Sequence, residues 1–70
     1  MTKYELDLKT NELRVLEFET LENEGHTERK AEYKPTCVYI DAINDGNAIR
    51  KANNYLFGVK QAARITEVTK

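Results

Sequence analysis

The stretch DGNAIRKANNYLFG, residues 45–58, decides how this chain is read. At about 100° per residue, Ala48, Ile49, Ala52, Tyr55 and Leu56 fall within an arc of about 120°, the width of a core-facing helical stripe. Asn44 or Asp45 can cap the free backbone N–H groups at its start. Gly58 stands where a left-handed C-terminal cap belongs. The spacing predicts a helix over 45–57. Opposite the stripe lie Asn47, Arg50 and Asn54, with Lys51 at the margin. Two readings compete for that outer face. It is the solvated side of a helix that covers a sheet, or it contacts nucleic acid, since arginine and asparagine commonly read base edges.

A helix with a single apolar stripe needs a layer beneath it, and the rest of the chain supplies strands. In residues 3–9, Tyr4, Leu6 and Leu8 alternate with Lys3, Glu5 and Asp7, the pattern of a half-buried strand. Lys9-Thr10-Asn11 reads as a turn, because asparagine tolerates the left-handed conformation. Residues 12–20 form a second strand with a phase change: Leu13 and Val15 share one parity, Leu16 and Phe18 the other. A bulge near Val15-Leu16 would keep both sets inward; otherwise the strand begins apolar on both faces. Gly25 marks a polar hairpin tip. Residues 27–34 form a charged edge strand with Ala31 and Tyr33 inward, and Pro35 interrupts the ladder. In 36–41, Cys37, Val38, Tyr39 and Ile40 are apolar on both faces, as in a central strand covered twice. A last strand is expected over 60–68, with Val59, Ala63 and Ile65 on one face.

The expected architecture is thus α+β, a mostly antiparallel sheet with one helix on one face. Its order is strand, strand, strand broken at Pro35, helix, strand. Seventy residues are read as a single domain, 1–70. A chain of this size buries only about 60% of its unfolded surface, so association with a copy of itself or with a partner would help it. The apolar fraction is 40% and the charged fraction 33%, a globular composition.

Several chemistries find no residues to carry them. The single cysteine, Cys37, forms no intrachain disulfide, and no Cys/His spacing suits zinc. Asp41, Asp45 and Gly46 fall at positions one, five and six of a calcium loop. Ile43 and Ala52 occupy positions that need oxygen ligands, so the match fails. His26 has no visible partner for acid–base work, and Cys37 reads as a small core residue. Neither an enzyme nor a cofactor is expected. There is no secretory h-region and no apolar run near membrane-span length, so the chain is read as soluble and cytoplasmic, without a membrane role.

What remains is binding. Residues 1–25 carry seven acids against three bases, a net of −4, whereas 26–70 carry eight bases against five acids, a net of +3. Glu17, Glu19, Glu22 and Glu24 form a candidate acidic ridge that could steer a basic partner. Asn47, Arg50, Lys51, Asn54, Lys60 and Arg64 form a candidate nucleic-acid contact. The whole-chain charge of −1 lacks the basic excess such binders show. Tyr33 and Phe57 are candidate exposed aromatic contacts, since Phe57 falls well outside the helix stripe. The expected function is a non-catalytic interaction, inhibitor or regulatory protein, acting on a protein partner or on itself as a homodimer. Nucleic-acid binding through the outer helix face and last strand is the alternative.

Overall fold

Six residues near the N-terminus organise the sheet. Strand β1 (Thr2–Asp7) is hydrogen-bonded on both edges, antiparallel to β2 (Glu12–Val15) on one side and to β5 (Cys37–Ala42) on the other. The computed structural model describes residues 1–17, 19–23, 26–30 and 33–70, with the backbone alone for 19–23 and 26–30. Strands β3 (Glu19–Asn23) and β4 (His26–Lys30) form a separate two-stranded antiparallel sheet, with Asn23 opposite His26. Helix α1 (Asp45–Gly58) follows β5 and packs on it. The Cα radius of gyration is 13.8 Å, above the ~11 Å of a compact chain this long, so the molecule is elongated.

The alternation of β1 is the reason for the two layers. Tyr4 and Leu6 are buried toward α1. Their cross-strand partners, Ile40 and Val38 on β5 and Leu13 on β2, fill the same layer. From the helix, Ala48, Ala52 and Leu56 are buried against them. Leu6, Leu13 and Leu56 are the largest fully buried side chains. Truncating such a leucine costs about 2–5 kcal/mol. The expected α+β class, the antiparallel pairing and the inward stripe are all present. Tyr55 is the stripe member that stays exposed.

Both ends of α1 are closed by named groups. Asn44 is the N-cap, and its Oδ1 accepts the Asn47 N–H at 2.8 Å. Asn47 Oδ1 reaches back to accept the Ile43 N–H at 3.3 Å, a variant of the capping box. At the other end, Lys60 N–H donates to Phe57 O at 3.1 Å and Gln61 N–H to Leu56 O at 2.9 Å. That pair is the Schellman arrangement. Its left-handed residue is Lys60, with φ 59°, rather than Gly58, which ends the helix itself. In the β1–β2 turn, Asn11 is left-handed as expected, with φ 57°. Asp7 Oδ1 fixes that turn by accepting the Lys9 N–H at 2.9 Å and the Thr10 N–H at 3.3 Å.

Four expectations need correction. The second strand does not run through 12–20. It ends at Val15, and β3 begins at Glu19 in the other sheet. There is no bulge at Val15-Leu16, because Leu16 N–H donates to Lys3 O at 2.9 Å in continuous register. Leu13 and Leu16 therefore lie on opposite faces, and Val15 is left 44% exposed. The 36–41 segment is not the central strand; β5 closes the three-stranded sheet and β1 is central.

The fourth concerns the last strand over 60–68, which is absent: residues 59–70 contain no strand. The physical reason is Asn53. Its Nδ2 donates to Ile65 O at 2.8 Å and its Oδ1 accepts the Ile65 N–H at 2.7 Å. One side-chain amide thus satisfies both backbone groups that a neighbouring strand would have paired. The segment still feeds Ile65 and Val68 into the core, and Thr69 N–H donates to Leu13 O at 2.7 Å on the edge of β2.

Two outcomes are expected in urea unfolding. Asn53→Ala loses about 1–3 kcal/mol, because both polar groups of Ile65 lose their partner, while Asn54→Ala stays within about 0.5 kcal/mol. Lys60→Gly gains about 1 kcal/mol by relieving the left-handed conformation of a residue with a Cβ.

Candidate functional site

The outer face of the sheet carries a row of polar side chains set by strand register. Glu5 on β1 stands opposite Arg14 on β2 and Tyr39 on β5. Arg14 Nη2 donates to Glu5 Oε1 at 2.9 Å and to Asp7 Oδ2 at 2.9 Å, and Nη1 lies 3.6 Å from Glu12 Oε1. Tyr39 donates its hydroxyl proton to Glu5 Oε2 at 3.1 Å and accepts the Lys34 N–H at 2.6 Å. Glu5 is buried beneath these neighbours, although it faces away from the helix. Both of its oxygens are engaged, so it is held as an ion-pair partner and not as a base open to a substrate.

The Arg14 hydrogen bond, aided by the Lys9 N–H, holds the Asp7 carboxyl below its ordinary value. Glu5 and Asp7 raise Arg14 further above its already high value. Tyr4 donates to Asp45 Oδ1 at 2.6 Å, and this hydrogen bond raises the phenol above its ordinary range. Tyr39 is also raised, by desolvation first. These are structural uses of titratable groups. Among the described residues, no three His, Cys, Asp or Glu side chains are grouped to hold a metal ion. The carboxylates at the calcium-loop positions are engaged otherwise: Asp45 receives the Tyr4 hydroxyl, and Asp41 lies 3.7 Å from Lys3.

The acidic ridge is only partly in view. Glu17 is exposed; Glu24 and the side chains of Glu19 and Glu22 lie outside the described residues, as does the His26 side chain. Tyr33 is 55% exposed and meets Tyr39 edge-on, with ring centroids 4.8 Å apart and planes at 74°.

The outer helix face is sorted by its hydrogen bonds. Asn47 is committed to the N-terminal cap. Lys51 Nζ donates to the Asp41 carbonyl oxygen at 2.6 Å and so covers the edge of β5. Arg50, Asn54, Lys60 and Arg64 are exposed. Arg50, Asn54 and Phe57 stand at i, i+4 and i+7, within about 60° of arc opposite the buried stripe. Phe57 is 86% exposed. Beside it runs an open groove of about 400 Å³ lined by Asn53, Asn54, Phe57, Gln61, Ala62, Ala63 and Arg64. Its second bank exists because Gln61 is tied to the helix end and Ile65 to Asn53. The structure thus brings Asn54, Phe57 and Arg64 to one groove, with Arg50 a turn away, and takes Asn47 and Lys51 out of the set. Two further hollows, of about 590 and 550 Å³, flank residues 66–70 near Asp45.

Sequence reasoning missed Asn53, Arg14 and Glu5. Register would have exposed the last two, since a turn closing at Asn11 sets Glu5 opposite Arg14. Asn53 gave no such signal, because its partner is a backbone twelve residues away. No helix among the described residues is long and apolar enough to cross a membrane. No family model, curated protein or solved structure matches the chain.

A depressed carboxyl stabilises the fold above its unfolded value, and that contribution disappears as pH falls through the lower folded value. For Asp7 the window opens below pH 3.8. Asp7→Asn is expected to be less stable at neutral pH and to lose less on acidification below that point. Urea midpoints of both chains between pH 7 and 2 check this.

Proposed function

We propose that this chain is a non-catalytic, cytoplasmic interaction protein, acting as an inhibitor or regulator, whose contact surface is the outer face of α1 with the 61–64 bank. The observation that carries this reading is Phe57. A phenylalanine 86% exposed on a helix is a large apolar group left in water. It adjoins a groove and is rimmed by Asn54, Gln61 and Arg64. An aromatic anchor with a polar rim is the anatomy of a protein contact. The other polar clusters of the described residues are internally satisfied, which supports binding over catalysis. The single, half-buried free cysteine suits a reducing compartment.

Placing p-benzoylphenylalanine at position 57 tests the assignment in the native cell. Discrete adducts are expected from position 57 and none from the same probe at Lys9, an exposed turn position on the other layer. Equal labelling from both positions would remove the assignment.

A second reading, nucleic-acid binding by the same face, has its own support. Residues 46–66 contain Arg50, Lys51, Lys60 and Arg64 and no acid. Lys51 is held by the Asp41 carbonyl, so if the other three neutralise phosphates, single-strand affinity should fall with a log–log salt slope of about −2. Anisotropy of labelled dT12 between 20 and about 200 mM salt reads that slope. A flat response at micromolar protein ends this reading.

A further inference from the structure

The groove beside Phe57 has a charge that names its occupant. Arg64 lines the groove on the 61–64 bank, Arg50 lies one turn before Asn54, and Lys60 immediately precedes the bank; all three side chains are exposed. No carboxylate occurs anywhere from 46 to 66. The lining itself is small or apolar at Ala62, Ala63 and Phe57, and carries amides at Asn54 and Gln61. Asn53 is on the lining but already holds the backbone of Ile65 through both its polar atoms.

We infer that this groove binds an extended acidic protein segment that carries an apolar side chain among its carboxylates. The inference rests on the reading of this face as a protein-contact surface and adds the chemistry of the partner. The cations pair with the segment's carboxylates, the apolar side chain covers Phe57 and the two alanines, and the amides serve its backbone. Phosphate backbones share the charge, but the whole-chain charge of −1 lacks the basic excess of nucleic-acid binders, whereas a short segment confined to the groove needs only the few cations beside it.

Fluorescein-labelled twelve-residue peptides provide the test, read by anisotropy on the full chain. One carries aspartates and glutamates around a single leucine; one replaces the leucine by serine; one replaces every acid by lysine. Labelled dT12 is the fourth probe. The acidic leucine peptide is expected to bind about tenfold tighter than its serine twin, the size of one buried aliphatic side chain. Phe57→Ala should erase that ratio while leaving serine-peptide binding unchanged, as a coupled pair requires. Arg64→Glu and Arg50→Glu should each weaken the acidic peptides several-fold, with far-ultraviolet circular dichroism and melting temperatures showing that the variants are folded.

Tighter binding of dT12 than of the acidic peptide through the same arginines overturns the inference in favour of nucleic acid. Equal binding of the lysine peptide overturns it too. So does self-association by sedimentation that Arg64→Glu abolishes without any peptide binding, which assigns the groove to a second copy. Absence of binding at 0.5 mM peptide, a concentration set by the roughly −4 to −5 kcal/mol floor of useful affinity, overturns it as well. In that last case, adducts from position 57 would leave the protein-contact reading standing, and only their absence as well would remove both.

Discussion

A single asparagine side chain joins the fold to the candidate site. Asn53 presents one acceptor and one donor to Ile65, in the same sense as a strand neighbour would. This clamp holds the C-terminal segment against the helix, so that Ile65 and Val68 complete the core over β1 and β2. The same clamp fixes one end of the 61–64 bank, and the Schellman bonds at Lys60 and Gln61 fix the other. Buried backbone groups must be paired, and here the partner is an amide on a helix. The groove follows from that substitution, because a strand in this place would have continued the sheet.

The other layer is organised by charge. A buried carboxylate is expensive unless it is paired and hydrogen-bonded, and Glu5 meets that requirement with Arg14 on one neighbouring strand and Tyr39 on the other. An apolar row in its place could be as stable or more so. What the polar row adds is a penalty for misalignment. A one-residue slip of β1 would turn Glu5 toward Leu56 and Leu13, and Leu6 toward water. Arg14 also gathers Asp7, which in turn fixes the β1–β2 turn through its second oxygen. Turn, register and face selection in the hairpin are thus linked through one guanidinium.

Much of this was legible in the residues, for identifiable reasons. The alternation of Tyr4 and Leu6 with Glu5 and Asp7 and the 3.6-residue spacing of Ala48, Ala52 and Leu56 are periodic signals, and both elements stand where the periodicity puts them. The left-handed Asn11 follows from residue chemistry. The failures share a different cause. A strand over 60–68 has suitable side chains, but strand formation depends on what lies beside it, and that neighbour is the Asn53 side chain. The apolar run at Cys37–Ile40 implied cover on both faces; part of that cover is Tyr33 against the Tyr39 ring, a contact that composition does not reveal. Among the site residues, exposure of Phe57 was readable from its helical angle. The diversion of Asn47 to the cap and of Lys51 to the Asp41 carbonyl was not, because both depend on where the chain enters the helix.

The two-stranded sheet β3–β4 pairs strand with strand inside itself, and among the described residues no ladder joins it to the three-stranded sheet, whose β2 ends at Val15 and whose β5 begins at Cys37. Because the body is zipped without borrowing a ladder from the interval between those two strands, the length of that interval is nearly a free variable. Doubling a connecting loop adds only about 0.6 kcal/mol of closure entropy. Insertions, deletions or a grafted module could therefore accumulate there while the two-layer body and the groove beside Phe57 are inherited unchanged.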